Sequence, residues 1–174
     1  MTPPFPAKKY DLIVVDPPWP IAKIKKRVRP NQVHMDYRLM SIAQIMELPV
    51  KTLAAENCVV FLWVIDKYLH SARAILEGWG FKYHLTMAWD KTNGLAMYGF
   101  NRQTEFILVG FCGAHPAYPA RRTVRTSLTA NATGHSIKPD AFYEALTVWP
   151  AVHKLDMFAR KPREGWDVWG DGVS

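Results

Sequence analysis

The feature that most constrains this chain is a short apolar run that stops on an acid and two prolines. Residues 12–15 read Leu-Ile-Val-Val, and Asp16-Pro17-Pro18-Trp19 follow directly. A run of this length and β-branched content predicts a strand buried on both faces, as in a parallel sheet. Proline carries no N–H and cannot continue a sheet ladder, so the strand ends at Asp16. That is its carboxyl end, outside which open α/β sheets bind their ligands. The prolines are expected to leave the carbonyls of Asp16 and Pro17 free to face a ligand, and Trp19 supplies a flat apolar ring. A carboxylate, a free carbonyl and a stacking ring suit a planar base that carries an exocyclic amine.

The rest of the chain alternates further apolar runs with helical patterns. Residues 57–64, 81–89, 104–113 and 154–159 read as strands, and a short strand is expected within residues 124–128. Ser41 is placed to cap a helix through Ile42, Ile45 and Met46. Asp66 is placed to cap a second, with Leu69, Ala72, Ile75 and Leu76 on one face. Pro139 suits the first turn of a third, with Phe142, Leu146 and Trp149 on its apolar face. This order predicts an α/β architecture. Residues 1–9 read as a flexible lead-in, and residues 10–174 as one domain. Residues 94–103 read as a loop containing glycine and aromatic residues.

Charge narrows the class of partner. The net charge is +7, and five basic residues fall within the seven positions from Lys23 to Arg29, in a loop that leaves directly from the proline motif. Such a loop suits the phosphates that flank a target base. Arg121, Arg122 and Arg125 form a second basic stretch. With 49% hydrophobic residues the chain is globular, not disordered. Cys58 and Cys112 each lie inside an apolar run with no Cys or His at metal-ligand spacing. They read as buried free thiols, with no metal site, which suits a reducing, cytoplasmic location. Residues 1–9 lack the apolar core of a signal peptide, and no apolar run is long enough to span a membrane.

The Asp-Pro-Pro-Trp segment after an apolar strand resembles the motif of amino-methyltransferases that use S-adenosylmethionine. More closely, it resembles the adenine-N6 methyltransferase family of the eukaryotic mRNA adenosine methyltransferase catalytic subunit, which has small bacterial and phage members. Further segments continue the resemblance in family order: Tyr37 to Ser41, Phe61 to Val64, Trp89 to Asn93, Glu105, Ser136 to Asp140, and Phe158 to Gly170. The resemblance implies a Rossmann-like class I methyltransferase fold, with a mostly parallel central sheet flanked by helices in a single domain. It implies S-adenosyl-L-methionine as cofactor and nucleic acid as substrate.

Site residues carry over position by position. Asp16, Pro17, Pro18 and Trp19 would form the catalytic elbow. Tyr37 and Trp63 would line the base pocket, and Lys23, Lys25, Lys26 and Arg27 would hold phosphates. Asp16, Lys138, Arg160, Arg163, Glu164 and Asp171 would contact the cofactor. Asn usually stands where Asp171 does. Glu105 would pair with a base in the site wall. The usual glycine-rich cofactor loop is missing, and Phe158-Ala159-Arg160 occupies its place.

The chemistry implied is methylation of the adenine amine. That lone pair is delocalised into the ring, so two acceptors out of the ring plane are needed to expose it. DNA is the favoured polymer and RNA the alternative, with a homodimer or partner subunit as further options. Cytosine-N4 methylation is the nearest enzymatic rival. A non-catalytic nucleic-acid-binding partner is the alternative from another class, although the Asp-Pro-Pro motif is intact here. A zinc nucleobase deaminase would need His-x-Glu and Pro-Cys-x-x-Cys, and neither occurs.

Overall fold

The computed structural model describes residues 4–21, 39–97, 99–114, 123–132 and 137–170, with residues 93–97 described as backbone only. Among the described residues seven strands form one sheet. In chain order they are β1 (Tyr10–Val15), β2 (Ala54–Ile65), β3 (Lys82–Met97), β4 (Phe100–Cys112), β5 (Ser127–Thr129), β6 (Lys154–Met157) and β7 (Asp167–Trp169). Their order across the sheet is β5-β3-β4-β2-β1-β6-β7. β4 runs against both its neighbours, while the pairs β1–β2, β1–β6, β6–β7 and β3–β5 are parallel. The expected mostly parallel sheet flanked by helices is the one observed.

β1 lies at the centre for the reason its composition gave. Leu12, Ile13, Val14 and Val15 are all 0% exposed, and burying each such side chain is worth about 1.5–3 kcal/mol. Alternate residues serve opposite faces. Ile13 and Val15 join a core with Ile45, Val50, Ala72, Ile75 and Leu76 from the helices α1 (Ile42–Met46), α2 (Val50–Leu53) and α3 (Leu69–Gly78). Leu12 and Val14 join a second core with Phe142, Leu146 and Trp149, on and just after α4 (Asp140–Ala145).

Ser41 caps α1 through a full capping box with Gln44. Asp66 does not cap α3. It opens a 3-10 turn, Asp66–Tyr68, that leads into the helix without a side-chain cap. Cys58 and Cys112 are free, buried thiols facing each other in the β2–β4 register. Phe5 stacks on Trp169 at 4.2 Å between ring centroids, and Lys8 pairs with Asp167 at 3.0 Å.

Two boundaries differ from expectation. The stretch expected to be a loop at residues 94–103 continues both strands, with Leu95 paired to Arg102 and Met97 to Phe100. β4 therefore begins at Phe100, and β3 runs past Trp89 to Met97. A further short strand, β7, follows the 158–166 turn. Among the described residues no helix is long and apolar enough to cross a membrane.

Candidate active site

The order of the sheet creates the site. The chain passes from β1 to β2 on one side and returns much later to β6 on the other, so the carboxyl end of β1 is a topological switch point. Asp16 stands there. Its N–H donates to the Met157 carbonyl at 3.3 Å, extending the β1–β6 pairing by one bond.

Lys138, which precedes α4, reaches Asp16 from the second core side. Its ammonium is 3.2 Å from Asp16 Oδ2 and 2.8 Å from Glu105 Oε2. Lys91 Nζ lies 3.1 Å from Glu105 Oε1. The result is a row of alternating charge, Lys91–Glu105–Lys138–Asp16. Glu105 can join it because β4 is antiparallel: its first half, not its last, lies beside Ile65 at the carboxyl end of β2. Charges removed from water must be paired, and this row pairs each buried group. Lys138 also stands over the Trp63 ring, 4.6 Å from the centroid.

The row sets the protonation of its members. Burial pushes the Asp16 carboxyl above the usual carboxylate range. The nearby Lys138 opposes that rise and Glu105 adds to it. Burial alone would lower Lys138, but Asp16 and Glu105 outweigh it and hold the ammonium above its ordinary value. For Glu105 burial is also outweighed, here by Lys138 and then Lys91, and the carboxyl stays below its ordinary value.

The proline elbow is rigid because its carbonyls are engaged. Pro17 O accepts from Trp19 N–H at 2.8 Å, Pro18 O from Met40 N–H at 2.9 Å, and Trp19 O from Ile21 N–H at 2.8 Å. The Tyr68 hydroxyl donates to Pro20 O at 2.6 Å. The expectation of a free Pro17 carbonyl is therefore corrected: one of its two lone pairs serves the elbow itself. Trp19 is also not an open stacking platform. It is 4% exposed, donates its indole N–H to Trp63 O at 2.9 Å, and has one face covered by Tyr68 at 5.4 Å.

Trp63, expected to line the base pocket, is fully buried. Trp89 and Phe142 pack edge-on against it, so it supports Lys138 from beneath.

Two cavities meet at Asp16. The larger is lined by Asp16, Pro17, Trp19, Val64, Glu105, Lys138 and Arg160, among others. The smaller adds Tyr143, Asp156 and Arg163 to Asp16, Lys138 and Arg160. Arg163 clamps its wall. Its guanidinium lies 3.6 Å from the Tyr143 ring centroid, 2.5 Å from Asp140 Oδ1 and 3.5 Å from the Lys138 carbonyl. Glu164 is exposed and lines neither cavity. Lys23, Lys25, Lys26, Arg27, Tyr37, Arg121, Arg122 and Asp171 lie outside the described residues.

Sequence reasoning missed Asp156 and Tyr143. Asp156 is 2% exposed on β6 and accepts from the Tyr143 hydroxyl at 2.7 Å. Burial pushes its carboxyl up to about 7, against the lowering effect of Tyr143. A lone acid between Leu155 and Met157 in a buried strand was the available signal.

A switch-point cleft with a paired acid, two cations and a rigid proline elbow defines a ligand-binding α/β site, and the chain belongs to the MT-A70 family, whose model matches residues 10–172. Among its relatives is the type II methyltransferase M.MunI of Mycoplasma sp, 30% identical over 97% of this chain and 79% of that protein. The human N(6)-adenine-specific methyltransferase METTL4 is 28% identical over 95% of this chain and 38% of its own length. The N6-methyladenosine RNA methyltransferase MTA1 of Cryphonectria parasitica is 29% identical over 96% of this chain and 52% of its own. The chain thus spans most of M.MunI but only part of the two longer relatives.

Proposed function

We propose that this protein is an S-adenosyl-L-methionine-dependent methyltransferase that modifies the N6 amine of adenine in nucleic acid, with DNA as the favoured polymer, in the cytoplasm. The observation that carries this reading is the Asp16 carboxylate. Lys138 holds Oδ2, and Asp16 lines both cavities at the switch point.

The residues present suit the cofactor. Asp16 and Glu105 are balanced by Lys138 and Lys91, and Arg160 adds a cation to the wall of both cavities. Cations in that wall suit an amino-acid carboxylate, with Lys138 and Arg160 to hold it. Bound there, S-adenosyl-L-methionine supplies an electrophilic methyl group on a sulfonium.

This chain's own residues prepare the nucleophile. Oδ1 of Asp16 accepts one hydrogen of the adenine amine, and the second lone pair of the Pro17 carbonyl accepts the other. Two fixed acceptors draw the nitrogen toward tetrahedral geometry and concentrate its lone pair. Because the elbow's carbonyls are already bonded, little reorganisation is needed when the base arrives. A carboxylate whose proton affinity is raised by burial is also better suited to take the proton released after transfer. Trp19 forms the wall on which the base edge rests, and Trp63 keeps Lys138 in place.

The test is labelled methyl transfer to single- and double-stranded DNA and RNA oligonucleotides, followed by nucleoside analysis. Label in N6-methyladenine from DNA supports the reading. Label in cytosine, or in no nucleoside, overturns it. Label in RNA alone selects the second reading, favoured by the similarity to a protein named for RNA methylation.

A further inference from the structure

The catalytic cleft accounts for adenine but not for the nucleic acid around it, and the hairpin formed by β3 and β4 is the feature that the chemistry leaves unused. β4 passes the last residue of β2 at the pair Ile65–Glu105, and five residues, 100–104, continue beyond it. At about 3.4 Å per residue the ribbon extends roughly 17 Å past Glu105. Glu105 is in the wall of the active-site cavity, so the ribbon rises directly from the cleft. Its return is made with Gly99 at φ +81°, and Met97 pairs with Phe100.

The ribbon is aimed and stiffened. Between the pairs Asp90–Thr104 and Leu95–Arg102 the β3 side carries extra residues, a bulge of the kind that bends a strand and raises its twist beside active sites. Asp90 closes this bulge, accepting from Thr92 N–H at 2.8 Å and from Gln103 Nε2 at 2.9 Å. Asn101 Nδ2 then donates to Gln103 Oε1 at 2.7 Å. A chain of side-chain bonds thus climbs one face from the base toward the tip. The other face, by the alternation of a strand, carries Phe100, Arg102 and Thr104, all exposed.

The composition suits a polyanion. Residues 91–104 contain no acid, and their charges are Lys91 and Arg102. Phe100 is 75% exposed. A single exposed Phe needs no explanation, but here it shares a face with Arg102 at the end of a projecting ribbon. Arg pairs with guanine, Asn and Gln with adenine, and an apolar side chain with the thymine methyl group. The B-form major groove admits a two-stranded ribbon and is about 8.5 Å deep, half the ribbon's reach.

Resting on the adenine-methyltransferase reading above, we propose that the β3–β4 ribbon enters the groove of duplex DNA beside the target adenine, with Phe100 and Arg102 contacting base edges. It is the chain's sequence-reading element, and it works while the target base occupies the cleft at its foot. No separate recognition domain is needed for that task.

The experiment compares the wild type with Phe100→Ala, Arg102→Ala and the double variant on three probes: duplex DNA, its single strand, and duplex RNA of the same sequence. Binding is read by anisotropy and methyl transfer by label. The double variant should lose about 10–100-fold in affinity and in kcat/KM on the duplex and discriminate less among flanking sequences. It should be unchanged on the single strand. Duplex RNA binding should also be unchanged, because side chains cannot read the narrow A-form major groove. Equal losses on all three probes, or none on the duplex, overturn the proposal. So does a loss that follows a change in oligomeric state by light scattering, which would make the ribbon an interface between copies. Wild-type transfer to the single strand tests the adenine reading separately. Both side chains are exposed, and an unchanged melting temperature shows that the variants fold.

Discussion

The Lys138 ammonium lies 3.2 Å from the Asp16 carboxylate, at the carboxyl end of the central strand. One oxygen of that carboxylate is thereby fixed, and the residue lines the cavity. The orientation of Asp16 depends on a residue 122 positions away in the chain.

Replacing the acceptor should remove chemistry without removing the fold. Asp16→Asn keeps the shape but substitutes an amide for one carboxylate oxygen. Methyl transfer should fall by about 10²–10³-fold or more, the scale seen when one preorganised polar group is lost from a transition state. Cofactor affinity, measured by calorimetry, should remain within about tenfold of the wild type. A folded Asp16→Asn variant with near-normal turnover would exclude this role for the carboxylate.

Lys138→Met should destabilise the protein as well as inactivate it. The substitution leaves Asp16 buried beside Glu105 with no shared cation, and breaking a buried pair in this way costs about 3–5 kcal/mol. Urea unfolding should show that loss. Glu105→Gln should cost less, because Lys138 retains Asp16 and Lys91 is partly solvated. Equal stability of the Lys138→Met variant and the wild type would contradict the pairing.

Asp156 predicts a pH dependence with a definite sign. Its carboxyl is pushed from 3.8 up to about 7 in the folded protein, so between those values the native state binds the extra proton. Stability from this group therefore falls as pH rises from about 4 to about 7. Asp156→Asn should remove that component and retain an acceptor for the Tyr143 hydroxyl. The variant should gain about 2–3 kcal/mol on the wild type between pH 5 and pH 8. Unfolding curves at the two pH values measure it. A parallel response in both proteins would show that Asp156 ionises normally.

Gly113 ends β4 at φ +73°, and a Cβ there would meet the Glu56 carbonyl oxygen at less than a contact distance. Gly113→Ala must either displace the start of β2 or abandon the turn. It should cost at least about 1–3 kcal/mol, read as a lowered unfolding midpoint. Methyl transfer at low temperature should be retained, because the residue is at the end of the sheet opposite the cleft.

Much of this was legible in the chain. The four residues before Asp16 predicted a strand buried on both faces, and that strand is central. Ser41 and Gln44 predicted a capped helix and form a capping box. What could not be read depended on contacts distant in sequence. Nothing near Trp19 shows that Tyr68 covers its ring or that Trp63 O takes its N–H. Nothing near Asp66 shows that a 3-10 turn intervenes before α3. Residues 94–103 carry turn-forming residues, and their strand character comes from pairing with each other across Gly99. Asp156 looked like a strand acid because its partner, Tyr143, is on a helix on the other side of a turn.

The single reversed strand has a consequence for how this family can vary. Because β4 enters the site from its amino end, Glu105 is held at the end of eight consecutive pairs with β2, and residues 100–104 before it pair with β3 alone. The tip of the projection can therefore lengthen, shorten or be rebuilt while Glu105 keeps its register with β2. On the proposal that the ribbon reads the target, exchanging its tip alone is a route to changing target choice.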